Sequence, residues 1–145
     1  MYQDILLPTD GSDGVDRVAE HAGSLARRYD ATVHVLSVVD TRNRFEGPSI
    51  GLGADTWEDA ERERARAAVE DAATALPDDV SVDRTVESGV PHSGILEYVG
   101  TAEVDVVVMG THGRTGIDHY LIGSVAERVV RQSPVPVLTV RIGDP

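Results

Sequence analysis

At 145 residues and 15.5 kDa the chain has the length of one domain, and its 41% apolar share is enough for a core. The absence of cysteine excludes a disulfide framework, a thiol nucleophile and Cys-ligated zinc. Twenty-five acidic against thirteen basic residues give a net charge of −12, which repels nucleic-acid backbones.

In chain order, Ile5-Leu6-Leu7 is a short apolar run stopped by Pro8-Thr9-Asp10-Gly11, a strand followed by a turn. Ser12 or Asp13 is placed to cap the next segment, where Val15, Val18, Ala19, Ala22, Leu25 and Ala26 recur at helical spacing. Thr32 to Val39 is β-branched and apolar and predicts a second strand. Residues 41 to 54 carry Gly47-Pro48 and Gly51-Leu52-Gly53, too much glycine for regular structure. From Asp55 to Leu76 the spacing is helical again, with Ala65, Ala68, Val69, Ala72 and Ala73 on one stripe. Val80, Val82, Arg84 and Val86 then alternate with polar residues, which suits an edge strand with one wet side. Pro91 opens a third helix whose buried face is Ile95, Leu96, Tyr98 and Val99.

Val104 to Met109 is the most apolar strand and is expected near the middle of a sheet. A glycine-rich stretch from Gly110 to Gly123 leads into a fourth helix over Ser124 to Gln132. Val135 to Val140 is the last strand, and Pro136, lacking an N–H, belongs on an edge. This alternation predicts a five-stranded doubly wound parallel sheet in one domain, strand order 3-2-1-4-5, with helices on both faces. No apolar run reaches the ~18 residues of a membrane span, and the amino end does not read as a signal peptide, so a cytoplasmic location is expected.

Every basic residue is arginine. A strongly acidic chain without lysine fits a GC-rich genome, and better still a very salty cytoplasm, where screening relieves the self-repulsion.

In such a sheet ligands bind beyond the carboxyl ends of the strands where the winding reverses, here between strands 1 and 4. Pro8-Thr9-Asp10 and Gly110-Thr111-His112-Gly113 both arrive there. Gly110, Gly113 and Gly116 permit a backbone that gathers N–H groups at one point, and Gly123-Ser124 opens a helix whose free amides and dipole favour a phosphate. Arg114 adds a local positive charge, and His112 is placed to hydrogen-bond to phosphate or backbone. A Walker loop is excluded by the missing lysine, and no His-Glu-x-x-His, calcium loop or Gly-x-Ser-x-Gly elbow occurs. His21 and His34 are explained by exposure or packing rather than by metal ligation.

Gly110-x2-Gly113-x9-Gly123-Ser124 resembles the ATP-binding pattern of the universal stress proteins. Ile5 to Ser12, Val104 to Gly113 and Pro134 to Val140 are similar to the family's first strand and turn, fourth strand and loop, and final strand. The resemblance implies a dimeric ATP-binding α/β protein acting as a nucleotide-dependent stress sensor or switch. It implies that Gly110, Gly113, Gly123 and Ser124 hold the phosphates, with Val125 at the helix start and Thr111, His112 and Arg114 in the same loop. Pro8, Thr9 and Asp10 would line the adenosine side, with Asp10 on the ribose or on a Mg or Mn ion carried by the phosphates. Val38 would meet adenine through its backbone, with Met109 packed beside it. The implied homodimer joins through Val135–Val140. A slow Mg-dependent ATP hydrolase, with Asp10 on the metal and His112 orienting water, is an alternative with less support, since no carboxylate and nucleophile pair is legible beside the loop. A dimeric interaction module without nucleotide is the third reading. No nucleic-acid or membrane partner is expected.

Overall fold

Three consecutive apolar residues with no polar alternation need apolar layers on both sides, and Ile5, Leu6 and Leu7 have them: all three are fully buried. They lie in β1 (Asp4–Pro8), the middle strand of the sheet. A computed structural model of the chain describes residues 1–43, 54–111 and 123–142. After β1 come α1 (Val15–Tyr29), β2 (Thr32–Asp40), a 3-10 turn (Thr41–Asn43), α2 (Ala54–Ala75), β3 (Ser81–Gly89) and α3 (Pro91–Thr101). The chain continues with β4 (Val106–Gly110), α4 (Ser124–Gln132) and β5 (Val137–Val140). The five strands pair in parallel in the order β3-β2-β1-β4-β5, as the sequence predicts.

Alternate strand residues feed two layers. Ile5, Leu7, Val35 and Val108 pack against Val18 and Ala22 of α1 and Val69 and Ala72 of α2. Leu6, Leu36, Val107 and Met109 pack against Ile95 and Val99 of α3 and Ala126 and Val129 of α4. The edge strands differ in kind. In β3, Val82 and Val86 are half-buried while exposed Arg84 reaches Glu70 of α2 at 2.6 Å. In β5, Leu138 is exposed, and the carbonyl of Pro136, just before the strand, accepts from the Val107 amide at 3.0 Å.

Four local expectations need correction. The last strand is Val137–Val140 rather than Val135–Val140, since Ser133 Oγ donates to Val135 O at 2.8 Å and accepts from the Val135 amide at 3.1 Å. The residue capping α1 is Gly14, at φ +94°, and neither Ser12 nor Asp13 caps the helix. The Ser12 amide is drawn instead into a turn by Asp10 Oδ1, at 3.0 Å. The fourth strand runs Val106–Gly110, because Asp105 ends the preceding turn by accepting from the amides of Gln3 and Asp4 at 2.8 and 2.9 Å. On α3, Ile95 and Val99 are buried, but Leu96 and Tyr98 are only half-buried.

Tyr98 has a polar task. His34, buried in β2, donates from Nε2 to Asp4 Oδ1 at 2.8 Å, and its Nδ1 lies 2.9 Å from the Tyr98 hydroxyl. A carboxylate can only accept, so Nε2 carries a proton, and the Tyr98 hydroxyl is the hydrogen-bond partner of Nδ1. Asp83 Oδ2 stands 3.7 Å from the same nitrogen. The imidazole therefore ties β1 and β2 to α3 at the end of the sheet opposite the crevice. Replacing His34 by Ala strands two polar partners, with an expected loss of about 2 kcal/mol. Urea unfolding followed by the fluorescence of Trp57, the only tryptophan and buried against Val39 and Ala65, measures it.

Candidate functional site between the first and fourth strands

β1 and β4 pair at two positions, Ile5↔Val106 and Leu6↔Val107, although β1 runs on to Pro8 and β4 to Gly110. Beyond Leu6 each strand keeps its other neighbour. β1 follows β2 through Pro8↔Leu36, and the Thr9 amide donates to Leu36 O at 2.9 Å. β4 follows β5 to Gly110↔Val140, and the Thr111 amide donates to Val140 O at 3.0 Å. The two central strands thus part at their carboxyl ends, and a crevice opens at the switch point of the winding.

Pro8, Thr9 and Asp10 border it from β1. Thr9 Oγ1 accepts from the Gly11 amide at 3.3 Å and Asp10 Oδ1 from that of Ser12, so both side chains shape the turn. Pro8 and Thr9 are half-buried and Asp10 is exposed. Val38 enters by its main chain. The Leu36 carbonyl faces β1, and residues two apart on a strand present their main-chain groups to the same side. The N–H and C=O of Val38 therefore point along the line that β1 leaves at Thr9. Its side chain packs toward α3, where a Cβ built on Gly94 would lie 3.1 Å from Val38 Cγ2. Met109 is buried in that same α3–α4 layer.

From the fourth strand's side the border is the start of α4. Gly123 caps it in an extended conformation, φ −61° and ψ 156°, with no side-chain hydrogen bond to the first turn. The first intrahelical bond joins Glu127 N to Gly123 O at 2.9 Å, so the amides of Ser124, Val125 and Ala126 precede the helical ladder. These amides and the helix dipole favour an anion. The Gly123 amide donates to Thr111 O, which clasps the two ends of the 112–122 segment. His112, Gly113 and Arg114 lie outside the described residues, as do residues 44–53 of the glycine-rich segment. The structure thus brings Pro8, Thr9, Asp10, Val38, Met109, Gly110, Thr111, Gly123, Ser124 and Val125 to the carboxyl end of the sheet.

Charged groups line the rim, among them an Arg42–Asp40 ion pair. Arg42 donates to both carboxylate oxygens of Asp40, at 3.0 and 2.9 Å, and these bonds hold the Asp40 carboxyl below its ordinary range. Desolvation, then the charges of Arg128 and Arg42, hold His92 in the first turn of α3 below the usual histidine range. Among the described residues no three His, Asp or Glu side chains are grouped to hold a metal ion, and no helix is long and apolar enough to cross a membrane.

One residue at the crevice went unread in the sequence. Ile142 lies over Gly110, where a Cβ would come within 2.2 Å of its Cδ1, and over Gly14, where a Cβ would come within 2.4 Å of its Cγ2. A side chain at position 110 would therefore need Ile142 to move aside.

The model of the universal stress protein family matches residues 1–141. Universal stress protein MJ0531 of Methanocaldococcus jannaschii is 36% identical over 146 residues, covering 97% of this chain and 83% of that protein. The solved structure of MJ0577, a universal stress protein of the same organism, superposes with a TM-score of 0.86 at 29% identity, over 100% of this chain and 99% of that one. A universal stress protein solved in complex with cAMP has a TM-score of 0.64 at 25% identity, over 97% of each chain. The match over nearly the whole length places the chain in the universal stress protein family.

Proposed function

We propose that this chain is an ATP-binding stress protein, a sensor or switch whose state follows the nucleotide held between β1 and β4. The observation that carries the reading is the parting of those strands beneath the uncapped amino end of α4. The structural relative in complex with cAMP supports the adenine nucleotide class. In this reading Gly110, Gly113, Gly123, Ser124 and Val125 receive the phosphates through main-chain amides, assisted by His112 and Arg114. Thr111 fixes the base of the loop. Pro8, Thr9 and Asp10 meet the adenosine, the main chain of Val38 meets adenine, and Met109 backs it.

A Mg or Mn ion fits this donor set only in company with the phosphates, because Asp10 supplies a single exposed carboxylate and magnesium favours one or two carboxylates plus phosphate oxygens. Titration calorimetry of the purified chain with ATP and Mg tests the reading. Saturable one-to-one binding is expected, and no heat at millimolar ATP would refute it.

We assign the homodimer contact to Val135–Val140, where the outer edge of β5 (Val137–Val140) suits a twofold partner. Leu138, 39% exposed, is the apolar residue there to be covered. Leu138→Asp is expected to convert the dimer to a folded monomer in light scattering. The acid excess is read as adaptation to a cytoplasm of high salt.

A further inference from the structure

The geometry points to Ile142 as the stopper of the crevice: held across Gly110 and Gly14, it closes the amino end of α1 and turns a nucleotide's phosphates toward α4. The role in binding rests on the nucleotide reading above; the packing does not.

Two helices begin beside the parting strands. α1 starts at Gly14 and α4 at Gly123, and neither has a side-chain cap. By dipole and free amides the two ends would compete for one anion. Ile142 removes the symmetry. Its side chain fills the space above Gly14, whose φ of +94° already suits glycine alone, and reaches on to Gly110, where Val18 of α1 also closes in. It packs with the α1–α2 layer of the core. Its main chain is fixed as well, since the Ile142 amide donates to Thr111 Oγ1 at 3.3 Å while Thr111 N holds Val140 O. Thr111 thus positions the stopper and, through its carbonyl, the start of α4. At Gly14 the α1 end meets the hydrocarbon of Ile142, and the α4 end is left to the ligand. Ile142 is therefore a specificity-determining residue, and Thr111 is its positioning residue.

Two measurements on the full chain test this. The first needs no nucleotide. Gly110→Ala should lower the melting temperature by a few degrees in the wild-type background, because the new methyl meets Ile142. In the Ile142→Ala background it should lower it by less than one degree. Equal shifts in both backgrounds would overturn the packing and the proposal with it. The second compares ATP with adenosine. Ile142→Asp puts a carboxylate where the phosphates turn, and should weaken ATP at least tenfold while adenosine changes less than twofold. Ile142→Leu should restore the ATP affinity. Equal losses for both ligands, or none, would overturn the assigned role. A wild-type protein that bound neither ligand would refute the nucleotide reading, leaving the melting comparison to judge the packing alone. If the aspartate variant does not fold, Ile142→Ser takes its place: a lower ATP-to-adenosine affinity ratio than wild type supports the role, and an unchanged ratio refutes it.

Discussion

Gly123→Val is expected to abolish ATP binding, weakening it at least 100-fold, while circular dichroism remains that of the wild type. Gly123 sits at φ −61° and ψ 156°, a region open to β-branched residues, so the backbone needs no rearrangement to accept valine. What changes is the space above the first turn. Two methyl groups would stand beside the amides of Ser124 and Val125, which an anion must approach within about 3 Å. Losing several charge-assisted hydrogen bonds, each worth about 1.5–3 kcal/mol, gives the magnitude. Calorimetry on the variant and wild type measures it. Wild-type affinity in a folded Gly123→Val protein would remove the phosphates from α4.

The second large effect concerns salt. Twelve uncompensated negative charges on a chain of this size repel one another in the folded state more than in the expanded one. Raising KCl from 0.1 M to 1 M shortens the screening length from about 10 Å to about 3 Å, which removes most of that cost. Screening also weakens ion pairs such as Arg27–Asp79 at 3.1 Å and Arg84–Glu70 at 2.6 Å, but exposed pairs contribute roughly 0–1 kcal/mol each and do not reverse the sign. The melting temperature is expected to rise by on the order of 10 °C between 0.1 and 2 M KCl. An uncharged excluded solute such as sucrose at equal osmolality should give a much smaller rise. Equal effects of the two would assign the stabilisation to exclusion rather than to charge.

The strand order could be read in advance because periodicity is a local property. Ile5-Leu6-Leu7 and Val106-Val107-Val108 are apolar without alternation, so they are central; Val80 to Val86 alternates, so it is an edge. The rule that ligands sit where winding reverses then brought Thr9 and Gly110 to one crevice with no further information. What stayed hidden depends on distant partners. His34 carries no local sign of its task, since Asp4 and Tyr98 lie 30 and 64 positions away. Ile142 reads as an ordinary apolar residue after a strand, and the glycines it presses on, Gly110 and Gly14, stand 32 and 128 positions earlier. The capping of α1 misled for another reason. Ser12 and Asp13 are both good caps, but Asp10 engages the Ser12 amide first, and the helix starts only after the left-handed Gly14.

An adenine nucleotide entering between β1 and β4 would meet the amides that border the crevice first. At 15.5 kDa the chain is suited to mapping of amide shifts by nuclear magnetic resonance during titration with ATP and Mg. The largest shifts are expected on Thr9, Asp10, Val38, Gly110, Thr111, Ser124 and Val125. The amides around His34 and Asp105, at the opposite end of the strands, should hardly move. Shifts gathered on those amides instead, or spread evenly over the surface, would rule out a nucleotide between β1 and β4.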